Sequence, residues 1–439
     1  MHTVAETKLP NPEVTVMGTG LAGMAASLHL AKAGLSVVCV GPDPTGSHPV
    51  GESLDWSAPA LLEAVGLPMA SLIAEEIATY KRHVTLKLCD GSQQHYVPSE
   101  WLGRPPFNVE LRTMHVDRTK LNAALRRIVL DHGVRIVADK IVDVQSEGRR
   151  VVAVTTASGA RFASPWFIDA SGSAASLLPR VFNLPAREYG PSKVAMWSYF
   201  DVQDSVEGTT LYANRQRPRY MDWIWEIPIH PKTISVGYVA TGAAIKEKRR
   251  QGHSVEEIFK AQLDRHPRFA ELLRAADVVV PRVTSFRCRV HGKLAGPNWL
   301  VVGEAASMVD PMTSNGVTAA LRHASEASTL IVRSRRRDRL PLLARSMYSW
   351  RVGGLARFFN SGIEKVIYDW PVRNYIGVLN AGDVYTVPAW SLNALYARFS
   401  PRGVLPTMLL NAALSLLRAS AAILYSFSKY REVSCETEA

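Results

Sequence analysis

The stretch Val14-Thr-Val-Met-Gly18-Thr-Gly20-Leu-Ala-Gly23-Met-Ala-Ala-Ser-Leu-His-Leu-Ala-Lys-Ala-Gly34 decides the fold class of this chain. A short apolar run leads into a Gly-x-Gly-x-x-Gly turn, and a segment rich in Ala and Leu with helical spacing follows. Gly34 ends that segment, and a second apolar run begins at Val37. This order predicts a strand, a tight turn, a helix and a second strand, as in a parallel α/β sheet.

Each glycine of the turn has a separate physical task. Gly18 permits the sharp bend, Gly20 lets a pyrophosphate approach the backbone, and Gly23 lets the helix pack closely on the strand. The N-terminus of the helix offers N–H groups and the positive end of its dipole to phosphate. A glycine triplet between a strand and a helix therefore predicts a dinucleotide site rather than an empty sheet turn.

One residue expected in such a site is missing. An acidic side chain usually ends the second strand and binds the adenosine ribose, but Gly41 stands at that position. Asp43 follows closely in the sequence. Either Asp43 takes the role of the missing acid, or the backbone holds the ribose.

Size and composition indicate a globular protein with acidic partners. The chain has 439 residues, 47% of them hydrophobic, which suits two or three domains with a large core. Its formal net charge of +12 favours phosphate-bearing cofactors, acidic carrier proteins or anionic membranes. The sequence carries no zinc-finger or RNA-binding signature, so we do not expect nucleic acid as a partner. The 4 cysteines are far apart, which argues against a metal site or disulfide framework. Because Met1 to Pro12 lack an apolar signal core, we expect a cytoplasmic setting.

The remaining pattern predicts a discontinuous nucleotide-binding domain. Strands and helices alternate as far as Phe167 to Gly172, and β-branched strands then dominate from about Lys193 to Val290. A strand at Trp299 to Val302 and an Ala-rich helix return to the first pattern. Locally, Met69 to Ala78 is predicted as helix, and Lys246 to Arg250 as the start of a solvated helix. The domains that we predict are residues 12–190 (with a hairpin segment at 80–110) and 291–335 for the nucleotide, 191–290 for a substrate-side β-sheet, and 336–439 for a helical C-terminal region.

The apolar segment 404–427 leaves two interpretations open. Asn411 and Arg418 lie inside it, and Pro406 interrupts its start. A membrane-spanning helix needs about 20 nearly uninterrupted apolar residues, and a central arginine costs roughly 2.5 kcal/mol or more. We favour a helix packed on the protein. The alternative is a peripheral helix in a membrane interface, where flanking basic residues suit anionic lipid.

Four motifs resemble the flavin-dependent halogenases and the related geranylgeranyl-reductase-like flavoproteins and aromatic hydroxylases. Gly18 to Gly23 resembles the FAD pyrophosphate turn, and the sequence Val50-Gly51-Glu52-Ser53-Leu54 resembles the loop beside the flavin. Gly303 to Gly316 resembles the segment that holds the ribityl chain and isoalloxazine. Trp223-Ile-Trp225-Glu-Ile227-Pro228 resembles the Trp-x-Trp-x-Ile-Pro signature of the halogenases themselves. The resemblance covers residues 12–330 and implies a Rossmann-type, GR2-like FAD-binding fold with an inserted sheet.

The resemblance also implies a set of site residues. With Asp43 added for the ribose, the FAD residues are Gly18, Gly20, Gly23, Asp43, Gly51, Glu52, Ser53, Arg118, Gly303, Glu304, Asp310 and Gly316. The residues on the halide or substrate side are Trp223, Trp225, Pro311, Thr313, Ser314 and Asn315. Residues two apart on a strand share a face, so the two tryptophans would form one wall between flavin and substrate.

The implied chemistry needs a second protein and a lysine. A separate flavin reductase would supply reduced FAD, which would use oxygen and halide to form hypohalous acid. A lysine would hold this oxidant, by a hydrogen bond or as a haloamine, and deliver it to a phenol, a pyrrole or a carrier-tethered aromatic. Lys81 matches the catalytic lysine of the family and Lys87 is the second candidate, although a surface lysine on a basic loop explains either equally well. A useful lysine would be desolvated, which lowers its pKa.

The halide side departs from the family pattern. Halide would lie at backbone N–H groups near Asn315 and Gly316. Thr313 stands where tryptophan halogenases carry an acid and phenol and pyrrole halogenases a hydrophobic residue, and Glu304 replaces an aspartate.

The motifs taken together leave three hypotheses. The first is a halogenase of specialised metabolism. The second is a FAD-dependent monooxygenase, dehydrogenase or reductase of the same fold acting on a hydrophobic substrate. The third is a flavin-free binding protein.

Overall fold

The computed structural model describes residues 11–43, 49–88, 93–97, 105, 112–205, 207–216, 220–276, 279–364, 368, 405, 407–409, 412–413, 415–416 and 419–420. The strands in this part of the chain are β1 (Val14–Met17), β2 (Val37–Gly41), β3 (Ala78–Lys81), β4 (Val84–Leu88), β5 (Gln93–Tyr96), β6 (Thr113–Val116), β7 (Arg135–Ala138), β8 (Ile141–Glu147), β9 (Arg150–Thr156), β10 (Arg161–Ala163), β11 (Trp166–Asp169), β12 (Ala186–Asp201), β13 (Thr209–Gln216), β14 (Tyr220–His230), β15 (Thr233–Thr241), β16 (Arg282–His291), β17 (Trp299–Val301) and β18 (Ser307–Met308).

The helices connect these strands and cover the sheets. They are α1 (Leu21–Lys32), α2 (Ala58–Ala64), α3 (Met69–Ala74), α4 (Arg118–Asp131), α5 (Gly172–Ala175), α6 (Leu177–Val181), α7 (Gly242–Arg250), α8 (Val255–Leu263), α9 (Pro267–Ala275), α10 (Gly303–Ala306), α11 (Gly316–Ser334) and α12 (Leu342–Gly362). A short 3-10 turn, Pro311–Thr313, precedes α11.

The first sheet is parallel and has the strand order β17-β11-β1-β2-β7. Every residue of β1 and β11 is buried, as expected for parallel strands covered on both faces. Helix α1 packs against α4 and α11. Because β17 pairs with β11, a late segment of the chain completes the sheet that Val14 starts. The domain boundaries themselves stay a prediction.

The second sheet is mixed, with the order β18-β16-β12-β15-β14-β13-β4-β5, and each of its two faces carries a different apolar cluster. One face buries Tyr238 and other residues that pack together with Phe259 and Phe269 of helices α8 and α9. The other face carries Leu211, Trp223 and Trp225, in a second apolar cluster. Strand alternation places each residue on one of these faces, so the sequence pattern already sorts the side chains.

Two local predictions are wrong. The helix from Met69 ends at Ala74, because Glu76 adopts a left-handed conformation (φ 53°) and the chain then enters β3. Lys246 to Arg250 ends helix α7 rather than starting it, since the side chain of Thr241 accepts a hydrogen bond from Ala244 N and caps the helix upstream. Basic residues in a last helical turn also interact favourably with the helix dipole.

The C-terminal segment 404–427 lies largely outside the described residues, as do residues 89–92 of the predicted hairpin segment, where a turn would join β4 and β5. The two strands that flank this turn do pair, in antiparallel fashion. Within the part of the chain that the structure describes, no helix combines the length and the apolar character needed to cross a membrane. The peripheral membrane helix stays a prediction.

Candidate active site

A cavity of about 440 Å³ lies between the carboxyl ends of the parallel sheet and one face of the mixed sheet. The sheet ends and helix N-termini supply polar backbone, and the mixed sheet supplies an apolar wall. The site residues predicted from the sequence that line this cavity are Gly20, Gly51, Glu52, Ser53, Arg118, Trp223, Trp225, Gly303, Glu304, Pro311, Ser314 and Gly316.

Two helix N-termini meet at the cavity, those of α1 and α11. No described side chain caps either helix. A Cβ added at Gly20 or at Gly316 would meet no atom within 4 Å, so each glycine leaves open space beside the backbone. Uncapped N–H groups, helix dipoles and room for close approach are the features of a phosphate or anion site.

The other two glycines of the motif serve packing. Gly18 has φ +126°, and a Cβ there would lie 2.2 Å from the carbonyl oxygen of Ala170. A Cβ at Gly23 would lie 1.8 Å from the carbonyl oxygen of Gly18. Both residues therefore bring helix α1 against the strand ends, while Gly20 faces the cavity.

The position of the missing acid is filled by a neighbouring turn. A Cβ at Gly41 would lie 2.7 Å from Thr19 N, and the Thr19 hydroxyl donates to the carbonyl oxygen of Pro42 over 2.9 Å. Asp43 is exposed, and the cavity lining drawn from the described residues does not include it. Asp43 therefore lies outside the lining of this cavity.

Arg118 ties the Gly51 loop to the cavity. Its Nη1 donates to the carbonyl oxygens of Val50, over 2.9 Å, and of Gly51, over 3.2 Å. Its Nε is buried and has no hydrogen-bond partner among the described residues. Glu52 beside it is buried, which raises the pKa of its carboxyl group, and it accepts a 2.6 Å hydrogen bond from the Tyr199 hydroxyl. Arg118 lines the cavity, so its guanidinium group presents positive charge to a ligand there.

Glu304 and Asp310 have different surroundings. Glu304 is exposed in the cavity and accepts a hydrogen bond from Ser173 Oγ over 3.1 Å. Asp310 is buried behind it, where Oδ1 accepts from Met312 N over 3.1 Å. Asp310 therefore orders the turn that follows it, whereas Glu304 faces any ligand directly.

The predicted halide segment is a tight polar turn. The Thr313 hydroxyl donates to the carbonyl oxygen of Asp310 over 2.9 Å, and Ser314 is left-handed (φ 55°). Asn315 Nδ2 donates to Asp55 Oδ2 over 2.7 Å. Pro311 and Ser314 face the cavity, while the side chains of Thr313 and Asn315 are buried within the protein.

The two tryptophans of β14 form part of the apolar wall. Their ring centroids are 5.8 Å apart, and both side chains are buried. A Cβ at Gly237 on the neighbouring strand would lie 2.1 Å from Trp225, so this glycine makes room for the indole. Trp197 on β12 also lines the wall, and our sequence reasoning missed it. The alternation Ala195, Trp197, Tyr199 was the available signal.

Lys81 ends β3 and is 3% exposed. Its Nζ donates to the carbonyl oxygen of Leu54 over 2.8 Å, lies 3.5 Å from Ser314 Oγ and is 4.8 Å from the ring centroid of Trp56. Burial lowers the pKa of Lys81 from 10.5 to about 7, against the opposing charge of Asp55. The amine therefore gives up its proton far more readily than the amine of an exposed lysine.

Lys87 has a different environment. It lies on β4 and is paired in register with Tyr212, whose ring centroid is 5.2 Å from Lys87 Nζ. Tyr212 belongs to the apolar cluster on the helix-covered face of the mixed sheet. Lys87 consequently lies on the face of the sheet away from the cavity.

The residues that are present fit FAD. The cavity combines two uncapped helix N-termini, a buried guanidinium nitrogen without a described partner and an aromatic wall. These groups match a ligand that carries both phosphates and a flat apolar ring system.

Comparisons with known proteins show which families and proteins this chain resembles. A family model described as tryptophan halogenase matches residues 108–337, and one described as glucose inhibited division protein A matches residues 13–192. Tryptophan 2-halogenase of Chondromyces crocatus is 27% identical over 335 residues, which cover 73% of this chain and 60% of that protein. The 1H-pyrrole-2-carbonyl-(peptidyl-carrier protein) brominase of Pseudoalteromonas luteoviolacea is 26% identical over 336 residues, 73% of this chain and 77% of that protein.

A solved structure shows the same fold. The flavin-dependent brominase Bmp2 superposes with a TM-score of 0.70 at 18% identity, covering 94% of this chain and 98% of that one. Further curated relatives are named flavin-dependent halogenases. The predicted α/β flavoprotein fold, the family and the FAD cofactor are confirmed. With a family model matched over more than half of its length, this chain belongs to the tryptophan halogenase family of FAD-dependent enzymes.

Proposed function

We propose that this protein is a FAD-dependent halogenase of specialised metabolism that modifies an electron-rich aromatic ring. The observation that carries the proposal is the buried amine of Lys81, which lies 3.5 Å from a serine that lines the cofactor cavity and whose pKa is lowered by burial to about 7. A nucleophilic amine of this kind is what a protein needs to hold a reactive halogen species.

The chain's own residues would hold FAD in the cavity. The N–H groups at Gly20 and the dipole of α1 would bind the pyrophosphate, and the guanidinium group of Arg118, which lines the cavity, would add positive charge. Glu304 would accept hydrogen bonds from ribityl hydroxyls. When bound in reduced form, FAD would supply the oxidation of halide by oxygen, and the protein supplies placement and exclusion of water.

Lys81 would carry the halogen to the substrate. Its neutral nitrogen attacks the halogen atom of hypohalous acid, so that an N–halogen bond forms while the halogen–oxygen bond breaks. The hydroxide that leaves takes a proton from the nitrogen and departs as water. The aromatic carbon then takes the halogen from the nitrogen, and the proton that the ring loses returns to the nitrogen, directly or through solvent, so that the amine is restored. Trp223 and Trp225 would keep the ring away from the flavin.

A paired substitution tests this role. Lys81→Met should lower product formation from reduced FAD, bromide and a panel of phenols and pyrroles by at least about 100-fold, because the halogen acceptor is lost. Its rate of flavin oxidation should stay at the wild-type value. Lys87→Met is the matched control and should keep full product formation, since that lysine faces away from the cavity. Undiminished product from Lys81→Met would overturn the assignment.

One observation favours a second candidate, a monooxygenase of the same fold. Thr313 replaces the acid of tryptophan halogenases, and its hydroxyl is engaged with the Asp310 carbonyl oxygen. The same assay without halide separates the two candidates. A hydroxylated product whose amount does not depend on bromide would establish the second.

We also infer two protein partners and a cytoplasmic setting. A separate flavin reductase would deliver reduced FAD. The net charge of +12 suits an acidic carrier protein that presents the aromatic group. Turnover of a carrier-tethered pyrrole should then fall as salt rises, while turnover of a free phenol should not.

A further inference from the structure

A hydrogen-bond chain leads away from Lys81 through three hydroxyl groups. Lys81 Nζ lies 3.5 Å from Ser314 Oγ, which donates to Ser53 Oγ over 3.1 Å. Ser53 Oγ lies 2.8 Å from Thr209 Oγ1. Lys81, Ser53 and Thr209 are all buried, and the three hydroxyl groups lie at the wall of the cavity.

The hydrogen-bond chain continues through a histidine to a backbone carbonyl. Thr209 Oγ1 lies 2.9 Å from Nε2 of His115, which is 0% exposed. The other ring nitrogen, Nδ1, lies 3.4 Å from Thr79 Oγ1. The Thr79 hydroxyl donates to the carbonyl oxygen of Pro228, the last residue of the Trp-x-Trp-x-Ile-Pro segment.

The carbonyl at one end sets the direction of every bond. A carbonyl oxygen only accepts, and each hydroxyl has one hydrogen to donate. Thr79 therefore donates to Pro228 and must accept from His115 Nδ1. This leaves Nε2 of His115 as an acceptor for Thr209, which in turn accepts from Ser53.

The electrostatic surroundings keep His115 neutral. Burial lowers the pKa of His115 well below its ordinary value, and the charges of Lys81 and His83 lower it further. Asp55 is the charged group that opposes the desolvation of Lys81. A neutral imidazole has one donor and one acceptor nitrogen, so the tautomer with Nδ1–H is maintained.

We propose that His115 is a positioning residue for Lys81: its fixed tautomer, relayed through three hydroxyl groups, makes Ser314 an obligate hydrogen-bond acceptor. The inference rests on the proposed role of Lys81. The neutral amine then donates one hydrogen to Ser314 and the other to the Leu54 carbonyl oxygen, which is 2.8 Å away. Its lone pair is left at the remaining tetrahedral position, directed away from both partners and open to the halogen.

The titration of Lys81 tests the relay. Holoenzyme labelled with 13C at lysine Cε gives one resonance that Lys81→Met removes, and its titration midpoint is measured by NMR in each variant. In Thr209→Val the valine side chain has nearly the same shape as threonine, and the substitution breaks the hydrogen-bond chain without touching Lys81. It frees Ser314 to rotate and donate to the neutral amine, which stabilises the neutral form. We expect the midpoint to fall by about 0.5–1 pH unit, the effect of one hydrogen bond.

A second threonine–histidine pair provides the matched control. Thr85 Oγ1 lies 2.8 Å from His95 Nδ1 and is not part of the hydrogen-bond chain, so Thr85→Val should leave the titration midpoint unchanged. His115→Leu should lower the midpoint as Thr209→Val does, and His115→Gln, which keeps one donor and one acceptor, should restore it in part. Unchanged midpoints in Thr209→Val and His115→Leu would overturn the inference.

Activity separates this inference from the proposed function. Thr209→Val should lower the rate of halogenation about 10-fold, with the rate of flavin oxidation and the KM for substrate unchanged. The midpoint is read without any halogenation. If Lys81→Met still halogenates, the proposed function fails while the relay is still measured. If Lys81→Met is inactive but the titration midpoint of Lys81 does not change in Thr209→Val, the relay alone fails.

Discussion

Lys193 Nζ lies 3.1 Å from Asp310 Oδ2, and both side chains are 1% exposed. Glu364 accepts a second hydrogen bond from the same ammonium. The Tyr368 hydroxyl donates to Asp310 Oδ2 over 2.9 Å and accepts from Trp223 Nε1 over 3.1 Å. This buried pair therefore connects the turn before α11 with the tryptophan wall on the other side of the cavity.

Lys193→Met should be strongly destabilising. It leaves the buried carboxylate of Asp310 without this cation, and breaking a buried pair in this way costs about 3–5 kcal/mol. Urea unfolding of the variant and the wild type measures the loss. Arg250→Met removes an exposed ion pair with Glu247 and should leave the unfolding midpoint unchanged. Equal stability of Lys193→Met and wild type would contradict the connection described above.

Two glycines of the same motif should respond differently to alanine. A Cβ at Gly20 enters open space, so Gly20→Ala should keep the thermal stability of the flavin-free protein but weaken FAD binding about 10-fold or more. A Cβ at Gly23 would collide with the Gly18 carbonyl oxygen, so Gly23→Ala should cost about 1–3 kcal/mol of stability. Flavin fluorescence titration and thermal unfolding give the two quantities. Wild-type FAD affinity in Gly20→Ala would refute the pyrophosphate position.

Gly237→Ala should disturb the wall without changing any residue that lines it. The added Cβ would lie 2.1 Å from the Trp225 ring, so the indole must move. Overpacking of this kind costs about 1–3 kcal/mol, and we expect shifted tryptophan fluorescence as well. Gly292→Ala is the control, since its Cβ would have only ordinary contacts, at 3.7 Å from Pro185. An unshifted emission spectrum in Gly237→Ala would count against this packing.

Stability should rise with pH because of Lys81. Its pKa is about 7 in the folded protein against 10.5 without burial, so between these values the unfolded chain binds the extra proton. The free energy of unfolding therefore gains up to about 1.4 kcal/mol per pH unit from about pH 7 to 10, and below that window this lysine adds no slope. Lys81→Met should lack the gain. Parallel curves of unfolding free energy against pH for both proteins would show that Lys81 is not desolvated.

Much of the fold could be predicted because its signals are local. The glycine turn at Gly18 depends on steric contacts within one strand–turn–helix unit, and alternation on β14 places two indoles on one face. The ends of helices were harder to predict, since a single left-handed residue, Glu76, and a single cap, Thr241, decide them. Trp197 was not predicted as part of the cavity wall, because its own strand resembles an ordinary core strand.

Local sequence was enough to predict the parallel sheet, the FAD turn and the position of the tryptophan pair, because each follows from backbone sterics or strand periodicity over a few residues. Tertiary packing buries Lys81 near the cavity, leaves Lys87 on the far face of the sheet and puts Thr19 in the space of the missing acid. It also joined Ser53, His115 and Ser314, which are distant in the chain. Burial and hydrogen-bond direction are properties of neighbours in space, and chain order does not specify them.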